Sequence, residues 1–386
     1  MSASPNARAS RPPAPAQRLL WLPAWPVLAA LALLYGSLTA LRRAAYRRGW
    51  LRSERAACAV LSVGNLTAGG SGKTPLVDWL LRAAQAAGRR PVAISRGYRR
   101  QGRSDVIRMR AEDGLPPDPL AMGDEPALLA RRNPDVPVYV ARRRALAARL
   151  AARWDAPGLI VLDDGFQHLP LARDLDVVLV DARQGLGNGH LLPLGPLREP
   201  LRAARRAHAV LIARAGLGDA DAVQRLRRRI EEALGGAVPV FTSDYRPVHL
   251  RRLDGAAELP LATLQGQAVQ LVCGIAQPAG FVRSVEALGA RVAGLQAHPD
   301  HFAYPDAEVA RLGAALVAAG VADAAGDAAE ERAAPGPRWL TTEKDAVKLA
   351  GRLTPAERLW VLEMEVVPDA AAQAFFFDFI ARDSLE

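Results

Sequence analysis

Only two of the 386 residues are cysteine, Cys58 and Cys273, and each lies in an apolar run. There is no CxxC pair and no Cys/His cluster, so a zinc module does not fit, and both thiols are expected in the core of a protein in a reducing compartment. Aromatic residues are also scarce, at 5%, and no RNA- or DNA-reading motif occurs. A net charge of +10 suits anionic partners in general: nucleic acid, an acidic membrane face or a phosphorylated substrate. Without stacking residues or a reading motif, the first of these is set aside. A GTPase switch would need an NKxD or TKxD segment, and "TEKD" at 342–345 has the wrong order. No internal repeat is present.

What the chain does have begins near its start. Residues 2–18 are rich in Pro, Ala and Ser and read as a disordered tail, 1–18. Residues 19–41, "LLWLPAWPVLAALALLYGSLTAL", carry no charge. As a helix they would reach about 35 Å, against a hydrocarbon core of about 30 Å. Pro23 and Pro26 put the start of the helix after them, or a kink at them. Arg42, Arg43, Arg47, Arg48, Arg52 and Arg55 follow the segment, whereas Arg8, Arg11 and Arg18 precede it. That bias places the body of the protein in the cytoplasm, with residues 19–48 as a membrane-associated helix that spans the bilayer or lies in one leaflet. A secretory signal would be shorter and would end in small residues, not arginines.

From residue 59 onward, short apolar runs alternate with helical patterns. The runs at 59–66, 91–97, 136–141, 159–165, 176–182, 209–214 and 239–245 are nearly continuous, as expected of parallel strands covered on both faces. "LVDWLLRAAQAAG" sets Leu76, Val77, Leu80, Leu81 and Ala84 on one helical face. The fold class is therefore α/β, a doubly wound and mostly parallel sheet. The pattern resets near residue 246, which predicts a core domain over 49–245 and a smaller α/β domain over 246–386. Residues 322–338 are compositionally biased and read as a loop.

The densest chemical signal is "TAGGSGKTP". It follows a predicted strand and opens a predicted helix, the setting of a phosphate-binding loop, although Thr67 replaces the first glycine of the generic pattern. The candidate nucleotide cradle is Thr67, Ala68, Gly69, Gly70, Ser71, Gly72, Lys73 and Thr74. Glycines let backbone N–H groups wrap an anion, and the helix start adds partial positive charge. Lys73 is expected on the β/γ-phosphates and Thr74 on Mg²⁺. "LIVLDDGFQH" ends a buried strand in Asp163 and Asp164, where ligands bind in such sheets. Asp124 and Glu125, and Arg198 and Glu199, lie in two further loops.

"SVGNLTAGGSGKTP", "SRGY", "GDEP", "DDGFQH", "LLPLGPLREP", "HPDHF" and "LTTEKDAVKL" occur in this order. In this the chain resembles the tetraacyldisaccharide 4′-kinases, the lipid A 4′-kinases, from about residue 19 to the C-terminal region. The resemblance implies a P-loop kinase that moves the γ-phosphate of ATP to the 4′-hydroxyl of an acylated glucosamine disaccharide 1-phosphate. It implies ATP and Mg²⁺ as cofactors, with the metal near Thr74, Asp163, Asp164 and Glu199. It implies Asp124 as the proton-accepting carboxylate and His301 as its partner, with His298 a local rival and Lys73 stabilising charge. Gln167 and His168 match positions near the phosphates. The expected setting is the cytoplasmic leaflet of the bacterial inner membrane, where a monomer with no nucleic-acid partner meets its lipid substrate. An ATP-binding membrane scaffold without turnover is the alternative. The arginine-rich run 141–153 is read as a solvated helix face.

Overall fold

The computed structural model describes residues 25–382 except 99, 102–103, 114–117 and 327–338. The tail 1–18, Trp21 and Pro23, and residues 327–338 of the biased segment, lie outside the described residues.

Helix α1 (Trp25–Arg47) comes first, followed by β1 (Ala59–Asn65), α2 (Lys73–Ala86), β2 (Pro91–Ser95) and β3 (Val106–Met109). The short α3 (Pro119–Met122) leads into α4 (Asp124–Arg132), β4 (Val138–Ala141) and α5 (Arg144–Trp154). Then come β5 (Leu159–Asp163), β6 (Leu175–Asp181), β7 (Ala209–Ala213), α6 (Ala220–Leu234) and β8 (Val240–Arg252). The remainder is β9 (Glu258–Leu259), β10 (Ala268–Cys273), α7 (Pro278–Glu286), β11 (Arg291–Ala297), α8 (Asp306–Gly326), β12 (Trp339–Thr342), α9 (Glu343–Leu349), β13 (Leu359–Pro368) and α10 (Ala370–Ala381).

The strands form one sheet in the order β11-β10-β12-β13-β8-β7-β6-β1-β5-β2-β4-β3, with β9 beside β8. Pairs from β7 to β4 are parallel, and β2, β4, β5, β6 and β7 are buried at every position. Helices cover both faces, which accounts for the unbroken apolar runs. The edge strand β3 runs antiparallel to β4 and was not anticipated. Its half-buried residues follow no buried run, so periodicity leaves no trace of it.

Residues 245 and 246, the expected domain boundary, are consecutive residues of β8. The first part of this strand pairs in parallel with β7, and the rest runs antiparallel to β13 as far as Arg252. The two halves of the protein therefore share hydrogen bonds through one strand. The chain end also returns to the first half. Ala372, Phe376 and Ile380 of α10 join the core cluster that holds Leu76, Val77, Leu80 and Leu81 of α2, and Trp79 sits 5.8 Å from Phe376. Both cysteines are buried and free. Phe376→Ala is expected to lower the unfolding free energy by ~3–5 kcal/mol, the usual cost of a buried aromatic ring, as read by chemical denaturation.

Candidate active site

β1 delivers the chain to the phosphate loop, and α2 carries it away. Thr67 bridges to Leu197, and Ala68 N–H donates to Pro196 O, so the loop is tied to the 190s segment. Asn65 Nδ2 donates to Thr67 O at 2.7 Å from within the core. Gly72 precedes α2 in the left-handed region, at φ 83°, where a side chain would be strained. This turns Lys73 and Thr74 into the first helical turn, and both are buried. Arg214 Nη2, itself 2.9 Å from Asp181, donates to Gly70 O at 2.8 Å and fixes the outer side of the loop.

β5 lies beside β1 in parallel register, Val63 opposite Asp163, so its acidic end meets the loop. Lys73 Nζ is 3.5 Å from Asp164 Oδ1. Arg198 Nη1 lies 3.0 Å from both oxygens of Asp164. Burial works to raise the Asp164 carboxyl, but Lys73 and Arg198 outweigh it and hold the group below the usual range. Asp163 goes the other way: burial, with Glu125 close by, pushes its carboxyl up, although Lys73 pulls against the shift. Ser95 donates to Asp163 Oδ2 at 3.2 Å, whereas Asp163 Oδ1 is buried with no hydrogen-bond partner.

That orphaned oxygen lines the same cavity as the Thr74 hydroxyl and a second carboxylate, Asp164, donors of the kind a hard divalent cation takes. Among the described residues no three His, Cys, Asp or Glu side chains converge into a metal cage. Mg²⁺ does not require one, because it keeps waters and phosphate oxygens as ligands.

Across the cavity, Asp124 is the first residue of α4. His301 Nδ1 and Lys348 Nζ each lie 3.0 Å from its Oδ2. His301 sits on a loop at φ 61°, next to a stacked cluster in which the His298 ring lies 4.4 Å from Phe302 and Tyr304 meets both edge-on. The two histidines sit differently: His301 reaches Asp124, and His298 packs, with Nε2 3.4 Å from Glu308. Burial again works to raise Asp124, and the His301 hydrogen bond together with the Lys348 charge brings it below the ordinary range. One cavity of about 1540 Å³ is lined by the loop from Ala68 to Thr74, Asp163, Asp164, Asp124, His301, Gln167 and His168.

Comparison with known proteins identifies the family. The family described as "Tetraacyldisaccharide-1-P 4'-kinase" (LpxK) matches residues 24–381. The chain belongs to this family. A tetraacyldisaccharide 4′-kinase of Anaeromyxobacter sp. (strain K) is 45% identical over 334 residues, 84% of this chain and 82% of its own. One from Thiobacillus denitrificans (strain ATCC 25259 / T1) is 38% identical over 362 residues, 91% and 94% of the two chains. Among solved structures, LpxK from Aquifex aeolicus, crystallised in complex with ATP, superposes with a TM-score of 0.70 at 26% identity. That match covers 95% of this chain and all of that one.

One expected ligand of the 4′-kinase site is not brought there. Glu199, a candidate for the metal, does not line the cavity: Arg206 takes both of its oxygens, at 2.8 and 2.9 Å, and Arg43 of α1 adds a third contact. Its neighbour Arg198 lines the cavity instead, with Nη1 on both oxygens of Asp164.

The run 141–153 is also only partly a solvated face. Arg144 is buried, with Nη1 3.1 Å from His168 Nδ1 and Nη2 donating to Asp164 O at 3.2 Å. Burial and the Arg144 charge drive His168 down to about 3, so the imidazole is neutral at physiological pH. The helical period of that run would have singled out one inward arginine only if the inner face of α5 had been known. Gly72→Ala is expected to cost ~1–2 kcal/mol of stability for its left-handed backbone. It should also weaken ATP binding, as measured by thermal melting and nucleotide titration.

Proposed function

We propose that this cavity binds ATP with its triphosphate on residues 67–74 and passes the terminal phosphoryl group to the 4′-hydroxyl of an acylated glucosamine disaccharide 1-phosphate, forming the 1,4′-bisphosphate of lipid A synthesis. The observation that carries the reading is the meeting, in one cavity, of the phosphate loop with Asp124 and His301, residues 177 positions apart. The chain is an ATP-dependent phosphotransferase of its family.

Phosphoryl transfer asks mainly for alignment and charge neutralisation. The N–H groups of the loop and Lys73 hold the phosphates and offset the charge that develops on them. Thr74, Asp163 and Asp164 are the residues that would hold Mg²⁺, which when bound neutralises phosphate charge. Asp124 takes the proton of the sugar hydroxyl as its oxygen bonds to the γ-phosphorus and the bond to ADP breaks. His301 orients that carboxylate through Nδ1–H. The proton ends on Asp124 and passes from there to solvent.

The N-terminal helix supports a lipid substrate. Val27, Leu31, Leu34, Leu38 and Leu41 recur at four- and three-residue steps and are all exposed, a continuous apolar stripe. The helix is fastened to the body beside this stripe. Ala32 is buried, Arg42 donates to Gln167 O at 3.2 Å, and Arg43 pairs with Glu199. Tyr35 and Arg42 line the cavity. A helix attached to the body at Ala32, Arg42 and Arg43 with an exposed apolar stripe is suited to insert into the bilayer, with the cavity mouth at the cytoplasmic surface of the inner membrane.

The test is transfer of label from [γ-³²P]ATP with Mg²⁺ to a lipid-linked disaccharide monophosphate. Lys73→Ala should lower kcat by about 10²–10³, or ~3–4 kcal/mol. Asp124→Asn and His301→Ala should lose turnover while melting like the parent; normal kcat in both would refute the base assignment. Burial raises the Glu199 carboxyl, but Arg206 and Arg43 more than compensate and hold it low. The stabilisation is thus present above the unfolded carboxylate range and lost as pH falls through the lower folded value. Glu199→Gln should free α1 already at neutral pH, seen as faster proteolysis between residues 43 and 59, whereas the parent should show this only in acid.

A further inference from the structure

α9 carries two lysines one turn apart, Lys344 and Lys348, and the start of α4 carries two adjacent carboxylates, Asp124 and Glu125. The helices come from opposite halves of the sheet and meet in register. Lys348 Nζ is 3.0 Å from Asp124 Oδ2, and Lys344 Nζ is 3.9 Å from Glu125 Oε1. The two pairs differ in setting. Lys344 and Glu125 are each about a third exposed, so water screens them. Lys348 is only 6% exposed. A lysine that deep needs an anion to hold it, and the only carboxylate within ion-pair distance of it among the described residues is the one that faces the sugar.

We propose that Lys348 is a positioning residue for the transfer reaction, a buried cation that clamps Asp124 from across the cleft and keeps it ionised with one oxygen left for the substrate. This rests on Asp124 being the proton acceptor. His301 and Lys348 both fall on Oδ2, and Oδ1 takes part in neither contact. The charged groups around Asp124 are Glu125 on its own helix, Lys344 and Lys348 on α9, and His301 on its loop, with Asp300 Oδ2 3.8 Å from His301 Nε2. Burial works against ionisation of Asp124. Removing Lys348 leaves only the His301 hydrogen bond and the more distant Lys344 to oppose it. Because α9 belongs to the C-terminal part of the chain, the clamp depends on that part packing against α4.

The experiment measures kcat and KM from acid to alkaline pH for the full-length protein, with ATP, Mg²⁺ and a lipid-linked disaccharide 1-phosphate in mixed micelles. Lys348→Met, which keeps length without charge, should move the acid limb of kcat/KM to higher pH. It should lower kcat by roughly 10-fold or more on the acid side, within the span of a general base. Activity should recover toward alkaline pH, and KM for ATP should stay within about 2-fold of the parent. Lys348→Arg should restore most of the acid-side activity. In an Asp124→Asn background, Lys348→Met should cost little, since no carboxylate remains to be tuned.

A folded Lys348→Met protein with the parent's pH profile overturns the proposal. So does a loss that is equal at every pH, or equal in both backgrounds, because a merely structural lysine would behave that way. Should Lys348→Met fail to fold, Lys348→Gln carries the same comparison. Parent-like turnover in Asp124→Asn alone would instead remove the acceptor reading on which the clamp depends.

Discussion

Lys73 faces Asp164 at 3.5 Å because β1 and β5 are neighbouring parallel strands, and the whole site is arranged around that contact. Parallel strands end together, so the amide-rich loop after β1 and the carboxylates after β5 emerge at the same edge. The crossover that brings β5 between β1 and β2 creates this adjacency. Once it exists, Lys73 and Arg198 keep Asp164 ionised while Asp163, deeper and beside Glu125, is pushed toward protonation. Two adjacent carboxyls thus acquire opposite tendencies from burial and neighbours alone, and the one left with an unpartnered oxygen is suited to a cation.

A second constraint is the antiparallel pairing of β8 with β13. Both strands belong to the junction between the halves of the protein, and together they let the C-terminal part bring His301 and α9 over Asp124. Other arginine contacts cross the same cleft. Arg131 donates to Leu253 O at 2.9 Å, and Arg132 to Met364 O at 2.9 Å, so the far end of α4 is bolted to the junction while its near end carries Asp124. Arg132 also pairs with the buried Glu343, which burial pushes up to about 7. The helix that carries Asp124 is therefore fixed at both ends by groups from the other half.

Much of this was legible in the residues. The shape of the loop after β1 could be read because its causes are local: a strand, glycines able to take positive φ, then a helix start. Asp163 and Asp164 could be read as the end of an apolar run. The Asp124–His301 pair came from family resemblance, not from spacing. Glu199 was misplaced because an acidic residue beside a cationic one in a loop does not say which of the two faces inward. Lys348 passed unremarked in "TEKDAVKL", since a lysine in a helix is ordinarily solvated. β3 was missed for lack of a buried face.

By itself, then, the sequence determined the elements whose causes lie within a few residues: the parallel-type strands, the amphipathic α2, the glycine-rich loop before it and the apolar stretch of the N-terminal helix. Short-range backbone sterics and the period of apolar residues suffice for these. Only the tertiary structure decided which histidine meets Asp124, that Lys348 meets it too, that Arg198 rather than Glu199 enters the site, and which face of α1 stays open. Those outcomes depend on strand order and on pairings between residues far apart in the chain. Such pairings are settled by burial and charge neutralisation once the sheet has formed, and nothing near either partner in the chain records them.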